Sequence, residues 1–172
     1  GNPDLDPEEA WGGETGLDLR LPGGAEAAVT YFVRDTRSLI DWVRDTPDAP
    51  WRAVNVGEAT FQGGEVRVAG TGEVFRWETA YRYTTVDAGN GGRESKYALN
   101  VARHDVRATL AMTGKRGFAA GVTVRHRDVP TLDRYTLLGA GLSQRLGRTV
   151  VFCSGRNLLD EGLFHGVQEE GS

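Results

Sequence analysis

Hydrophobic and polar residues alternate with a period of two along most of the chain, as they do on β-strands, whose successive side chains point to opposite faces. In "EVFRWETAYRYTT" the aromatic residues Phe75, Trp77 and Tyr81 share one face. The charged residues of that stretch occupy the opposite face, and they are Arg76, Glu78 and Arg82. Because no long stretch repeats apolar residues at helical spacing, we predict an all-β protein.

The alternation divides into about eight strands, several of them longer than the five or six residues that are usual in globular proteins. They are predicted at residues 14–21, 25–44, 51–70, 73–87, 97–113, 117–128, 134–146 and 149–157. Strands of this length need an explanation, and the connections between them supply one.

The connections alternate between tight and long. Glycine-containing tight turns, "PGG", "GTGE", "GKRG" and "GR", alternate with longer polar links, "DTPDAP", "AGNGGRESK" and "VPTLD". Short turns at one end of a sheet and longer loops at the other are typical of outer-membrane barrels. We therefore predict an antiparallel transmembrane β-barrel with apolar and aromatic residues facing lipid and charged residues facing a wet lumen.

Composition narrows the functional classes. The 172 residues suit one domain or a piece of a larger protein, and the net charge is -4 with basic and acidic residues intermixed. This mixture argues against a nucleic-acid partner. Cys153, the single cysteine, is expected to be a small apolar filler. The apolar runs are too short for a spanning helix and no signal peptide is evident, so any membrane span must consist of strands.

The opening "GNPDLDPEEAWGGETGL" resembles a segment of TonB-dependent outer-membrane receptors. The residues that carry the resemblance are Gly1, Asn2, Pro3, Leu5, Pro7, Glu8, Glu14, Gly16 and Leu17. Similar stretches follow in the family's order: "TYFVRDTRSLIDWV", "NVGEATFQGGEV" and "YTLLGAGLSQRLGRTVVFCSGRNLLDE". The resemblance is to the C-terminal part of the receptor barrel, over residues 1–160, with a polar tail at 161–172 that lacks a family-like final strand.

This resemblance implies a barrel of about 22 strands with a plugged lumen, located in the cell outer membrane. The implied partners are the TonB complex, acting through a plug domain that this chain lacks, and outer-membrane lipid with lipopolysaccharide. The implied ligand is a scarce nutrient, either cobalamin or a metal chelate. Asp41 and Trp42, which follow Leu39 and Ile40, look most similar to the cobalamin-transporter branch, with ferric-siderophore receptors close behind.

Two groups of residues are candidates for ligand binding. The first flanks the longest loop and comprises Arg93, Lys96, Arg103 and His104. The second faces the lumen and comprises Arg76, Glu78 and Arg82. Each group has an alternative interpretation. The loop residues would then be ordinary solvated surface, and the lumen residues would form hydrogen bonds with a plug domain. The aromatic residues expected at the membrane interface are Trp42, Trp51, Tyr31, Tyr81, Tyr83 and Tyr135.

No catalytic motif is present, since the chain has no G-x-S-x-G, no H-E-x-x-H and no phosphate loop. We predict no enzyme activity, no catalytic residue, no metal site and no cofactor. Two alternatives stay open: a free-standing eight-stranded barrel that acts as an adhesin or structural anchor, and a soluble β protein that binds a ligand.

Overall fold

The computed structural model describes residues 2–46, 48–89, 94–95, 101–130 and 134–162. The strands within them are β1 (Glu9–Arg20), β2 (Glu26–Arg37), β3 (Ile40–Arg44), β4 (Arg52–Asn55), β5 (Ala59–Thr71), β6 (Phe75–Ala88), β7 (Glu94–Ser95), β8 (His104–Thr113), β9 (Phe118–Asp128), β10 (Tyr135–Leu146) and β11 (Thr149–Gly155). Single 3-10 turns at Pro22–Gly24 and Lys115–Gly117 complete the regular elements.

The long strands form one antiparallel eight-stranded sheet in the order β1-β2-β5-β6-β8-β9-β10-β11. Each strand pairs with the next long strand of the chain, so the prediction of an all-β antiparallel meander is confirmed. The connections at one end, between β1 and β2, β5 and β6, β8 and β9, and β10 and β11, are short, and we call this the tight-turn end. The opposite end, with the three long links, is the long-connection end.

Two predicted strands are interrupted. The predicted strand 25–44 ends at Arg37 and resumes at Ile40 as β3, and the predicted strand 51–70 is divided into β4 and β5. At the breaks Ser38 and Gly57 have positive φ values of 50° and 101°. This backbone conformation does not fit the extended region, so the chain turns out of the sheet at these points.

The register gives the eight-stranded sheet two chemically distinct faces. Tyr81 lies opposite Val66 on β5 and Val106 on β8, whereas its neighbour Arg82 lies opposite Glu65 and Asp105. We name these the apolar face and the charged face. The apolar face carries Leu17, Leu19, Val29, Tyr31, Val66, Val68, Phe75, Trp77, Tyr81, Val106, Leu110, Met112, Val122, Val124, Leu138, Leu142 and Val151.

The apolar face is not covered by a second layer of the described chain. Phe75 is 46% exposed and Tyr81 is 41% exposed, although burial of such side chains against protein is the rule in soluble domains. An exposed apolar sheet face of this extent marks a surface that contacts a membrane or another protein surface.

The second sheet, in the order β4-β3-β7, comes from two of the long connections and covers part of the charged face at that end. Val43 of this sheet forms a buried cluster with Ala59 and with Leu39 and Val56, which flank its strands. Phe61 and Ala88 pack against the cluster. Ala59 and Phe61 have the same strand parity as Glu65, so this small core lies on the charged face.

The N-terminal segment fastens this second sheet. Asn55 accepts a hydrogen bond from the Asp6 amide at 2.9 Å and donates to the carbonyls of Asp6 at 3.0 Å and Ser38 at 2.7 Å. Glu8 accepts from the Ile40 amide at 3.2 Å and pairs with Arg34 at 3.3 Å. The opening residues therefore hold the β3–β4 hairpin against the sheet.

The interface-aromatic prediction needs correction for three residues. Tyr31, Tyr81 and Tyr83 lie on the apolar face as expected. The prediction for Tyr135 is wrong, because this residue pairs with Arg127 and so lies on the charged face. Trp42 and Trp51 are also outside the large sheet. Trp42 lies in β3, and Trp51 precedes β4 with the Arg44 guanidinium 4.7 Å from its ring centroid.

The large sheet is open, since β1 and β11 are its two edges and do not pair with each other. This arrangement does not fit a closed eight-stranded barrel and fits a sector of a larger one. Within the described residues, no helix is both long and apolar enough to cross a membrane.

A glycine pair on β5 provides a test of this register. A Cβ atom at Gly63 would overlap the Tyr83 carbonyl oxygen and lie 2.8 Å from Phe32 Cζ. A Cβ atom at Gly64 would meet only the Thr30 carbonyl oxygen, at 3.4 Å. We expect Gly63→Ala to lower the free energy of unfolding by about 1–3 kcal/mol, because the neighbouring backbone must shift.

Urea titration of tryptophan fluorescence measures this difference. Gly64→Ala is the matched control and should stay within about 0.5 kcal/mol of the unmodified protein. Equal stability of the two variants would contradict the β5–β6 register.

Candidate functional site

Ion pairs link neighbouring strands across the charged face. Arg82 on β6 binds Glu65 on β5, with Nε at 2.7 Å and Nη2 at 2.6 Å from Oε2. Closer to the tight-turn end, Arg67 Nη1 lies 3.2 Å from Glu78 Oε2 on the same two strands. The alternation of charge along β5 is thus matched by the opposite charge along β6, which stabilises their pairing.

Asp105 lies at the centre of a second set of contacts, on β8 and β9. Arg125 binds it through both ends of the guanidinium group, with Nε at 2.9 Å and Nη2 at 2.6 Å from the two carboxylate oxygens. Arg127 Nε lies 3.3 Å from Asp105 Oδ2, and its Nη1 donates to the Tyr135 hydroxyl at 3.0 Å. The Asp105 side chain is 15% exposed, so this carboxylate is largely enclosed by guanidinium groups.

Arg107 brings a further positive charge to the same place. It lies directly opposite Arg125 on the neighbouring strand, and like charges in that position are destabilising. In the part of the chain that the structure describes, Arg107 is exposed and makes no ion pair. We call Arg82, Arg107, Arg125 and Arg127 the arginine cluster.

The tight turn at Lys115–Gly117 sets the register that assembles this cluster. Arg116 and Gly117 have positive φ values of 61° and 76°, and the Gly114 amide donates to the Phe118 carbonyl at 2.8 Å across the turn. In the register that follows from this turn, Arg107 lies opposite Arg125, and Asp105 lies opposite Arg127. A turn one residue longer would shift this pairing and move the arginines relative to Asp105.

The arginine cluster has the chemistry of an anion-binding surface. A planar guanidinium group binds carboxylate or phosphate oxygens through two parallel hydrogen bonds, as Arg125 already does with Asp105. Asp105 and Glu65 neutralise only part of the positive charge around them. The donors of the exposed Arg107 are open to solvent on this face.

The lumen candidates predicted from sequence lie on the charged face but not in one place. Arg82 belongs to the arginine cluster, and Glu78 is engaged by Arg67. Arg76 lies opposite Thr71 and Ala111 near the tight-turn end, about 20 Å from Arg82 along β6 at 3.3 Å per residue. These three residues therefore do not form a single site.

The loop candidates are also separated. Arg103 precedes β8 with an exposed side chain, and its backbone binds Thr84 and Asp128. His104 lies on the apolar face, where its Nδ1 is 2.8 Å from the Tyr81 hydroxyl and its ring is 5.2 Å from that of Tyr83. Arg93 and Lys96 lie outside the described residues.

Sequence reasoning missed Asp105, Arg107, Arg125, Arg127 and Tyr135 as members of one constellation. The signal was present in part, because Asp105 and Arg107 share a parity, as do Arg125 and Arg127, and a four-residue glycine turn lies between the two pairs. Among the described residues, no group of three or more His, Cys, Asp or Glu side chains is arranged to hold a metal ion.

Comparison with known proteins supports the architecture. A family model described as "TonB dependent receptor-like, beta-barrel" matches residues 1–158. No curated protein matches the sequence. Among solved structures, the chain is similar to one titled "Copper transporter OprC", with a TM-score of 0.67 and 14% sequence identity. The match covers 92% of this chain and 26% of that one, so the chain spans about a quarter of its length.

The family match extends over most of the chain, and the structural match has the same fold at low identity. TonB-dependent receptors are receptors and transporters of the outer membrane, rather than enzymes, and they interact with TonB. The open eight-stranded sheet with its apolar and charged faces is a sector of such a barrel. This chain belongs to the TonB-dependent receptor-like β-barrel family.

Proposed function

We propose that this chain is part of an outer-membrane active transporter that imports a scarce, negatively charged nutrient chelate. The observation that carries the proposal is the separation of the sheet into an uncovered apolar face and an ion-paired charged face. The first suits hydrocarbon and the second suits a polar lumen. The family match to a receptor barrel supports the same assignment.

Closure of the barrel by further strands is a requirement of this proposal. β1 and β11 are edge strands whose outward N–H and C=O groups need partners wherever no water is present. In the full-length transporter, additional strands pair with these edges. The TonB complex acts through a plug domain of the same protein, and lipid with lipopolysaccharide surrounds the apolar face.

The arginine cluster guides the choice of cargo. Guanidinium groups favour carboxylate, phenolate or phosphate oxygens and repel a bare metal cation. A ferric siderophore carries several such oxygens, whereas cobalamin carries a single phosphodiester. We therefore place an anionic ferric siderophore ahead of cobalamin, and both ahead of free copper, the cargo in the printed name of the structural neighbour.

A contact between the arginine cluster and the plug is the second candidate role. The exposed positive charge of Arg107 supports this role too, because protein surfaces that meet are arranged to be electrostatically complementary. The two roles differ in a measurable way. Loss of a cargo contact weakens equilibrium binding, whereas loss of a plug contact alters energised transport without weakening that binding.

Substitution of Arg107 tests the proposed contact with the cargo. We expect Arg107→Ala in the full-length protein to weaken binding of an anionic ferric siderophore about tenfold, because a charge-assisted hydrogen bond is lost. Arg107→Lys should recover part of the affinity, since it restores the charge without the planar donor pair. Titration of the purified protein with the ferric siderophore measures both effects.

Arg20→Ala is the control for this experiment, since Arg20 has the charged-face parity but lies on β1, far from the cluster. It should bind as the unmodified protein does. Unchanged binding by Arg107→Ala combined with slower uptake would assign the cluster to the plug instead.

Uptake by whole cells tests the proposed transport. Cells that lack the full-length protein should lose accumulation of the anionic ferric siderophore, with smaller or no effects on cobalamin and copper. An uncoupler that collapses the proton gradient should stop accumulation in complemented cells while surface binding persists. Radiolabelled uptake with the three cargoes measures this. Accumulation that continues after uncoupling would refute active transport by this protein.

A further inference from the structure

The apolar face contains a groove near the tight-turn end of β8 to β11. Its volume is about 470 Å³, within the range of roughly 300–1,000 Å³ that is typical of ligand pockets. The side chains that line it come from the apolar face, with the backbone of Gly121 and Gly141 beneath them. The groove is therefore open towards the surroundings of the barrel and not towards its lumen.

The register shows how the groove arises. Ala120 lies between Met112 and Leu142, and Ala140 lies between Val122 and Gly155. The small residues Ala120, Ala140 and Gly155, next to the larger Met112 and Leu142, leave space for a channel on this face. At its far end Leu158 packs against Gly155, where an added Cβ would be 2.6 Å from Leu158 Cδ2. The channel is thus bounded at that end.

Basic residues gather at the other end of the groove. The β8–β9 turn carries Lys115 and Arg116, and the β10–β11 turn carries Arg148. β10 is held to the β8–β9 turn, since Gln144 Nε2 donates to the Arg116 carbonyl at 2.7 Å. All three basic side chains are exposed.

No acidic residue offsets this charge in the two hairpins. The sequence contains no Asp or Glu between residues 106 and 127 or between residues 134 and 159. The tight turns at the other side of the sheet differ, because Arg20 is matched by Glu26 across the first turn and Glu73 precedes Arg76 in the second. The positive charge is therefore specific to the end of the sheet where the groove lies.

We infer that this groove holds one acyl chain of an anionic glycerophospholipid, with the lipid phosphate at Lys115 and Arg116. The inference rests on the proposed membrane location. An acyl chain fits an apolar channel that opens to hydrocarbon, and cationic side chains at the channel mouth attract an anionic headgroup. A retained lipid of this kind would fill the channel between the large side chains and remove the packing gap.

The test is native mass spectrometry of the full-length protein, released from nanodiscs that contain equal amounts of phosphatidylglycerol and phosphatidylcholine. We expect one phosphatidylglycerol to be retained in preference to phosphatidylcholine. Lys115→Glu should reduce the retained fraction about fivefold or more, because it replaces a positive charge beside the lipid phosphate with a negative one. Ala140→Leu should reduce it by filling the channel.

Two controls match these variants. Arg20→Glu makes the same change in charge at the tight-turn end of β1, and Ala27→Leu adds the same side chain to the apolar face on β2. Neither should alter retention. Equal loss in Arg20→Glu, unchanged retention in Lys115→Glu, or equal retention of the two lipids would each overturn the inference. Failure of the unmodified protein to float with liposomes would instead overturn the proposed membrane location.

Discussion

In barrels of this family, the absence of water inside the bilayer is the constraint on which the structure depends. Every peptide N–H and C=O at that depth must pair within the protein, and a sheet achieves this only when each strand has two neighbours. The antiparallel meander meets the requirement for the six inner strands of the large sheet and leaves β1 and β11 as edges. The same constraint favours the tight turns, because they keep each hairpin paired to its end.

Once the strands pair, the alternation of side chains determines the chemical character of the two faces of the sheet. One face exposes Leu110 and Tyr81 to the surroundings, and the other places Arg82 against Glu65 and Arg125 against Asp105. Charged pairs at these exposures contribute little individually to stability. Their importance lies in the polar surface that they present to whatever occupies the interior, while the dry core of the described chain is the small cluster around Val43.

The opening residues of the chain have a structural role that their resemblance to a family segment did not explain. Glu8 joins β2 to the start of β3, and Asn55 joins the same segment to the β3–β4 hairpin. The second sheet is thereby held over the charged face at the long-connection end.

The sequence by itself determined the all-β class, the alternation of side chains and the tight turns, because side-chain parity and glycine turns are local properties. Even the position of Tyr135 could have been inferred, since its parity differs from that of Leu138, Ala140 and Leu142. Only the tertiary structure decided that Ser38 and Gly57 break two strands, that His104 joins Tyr81 on the apolar face, and that Arg82 of β6 comes to lie beside Asp105 together with Arg125 and Arg127. The last two outcomes depend on the register between β6 and β8, and a long connection between two strands does not fix that register as a tight turn does.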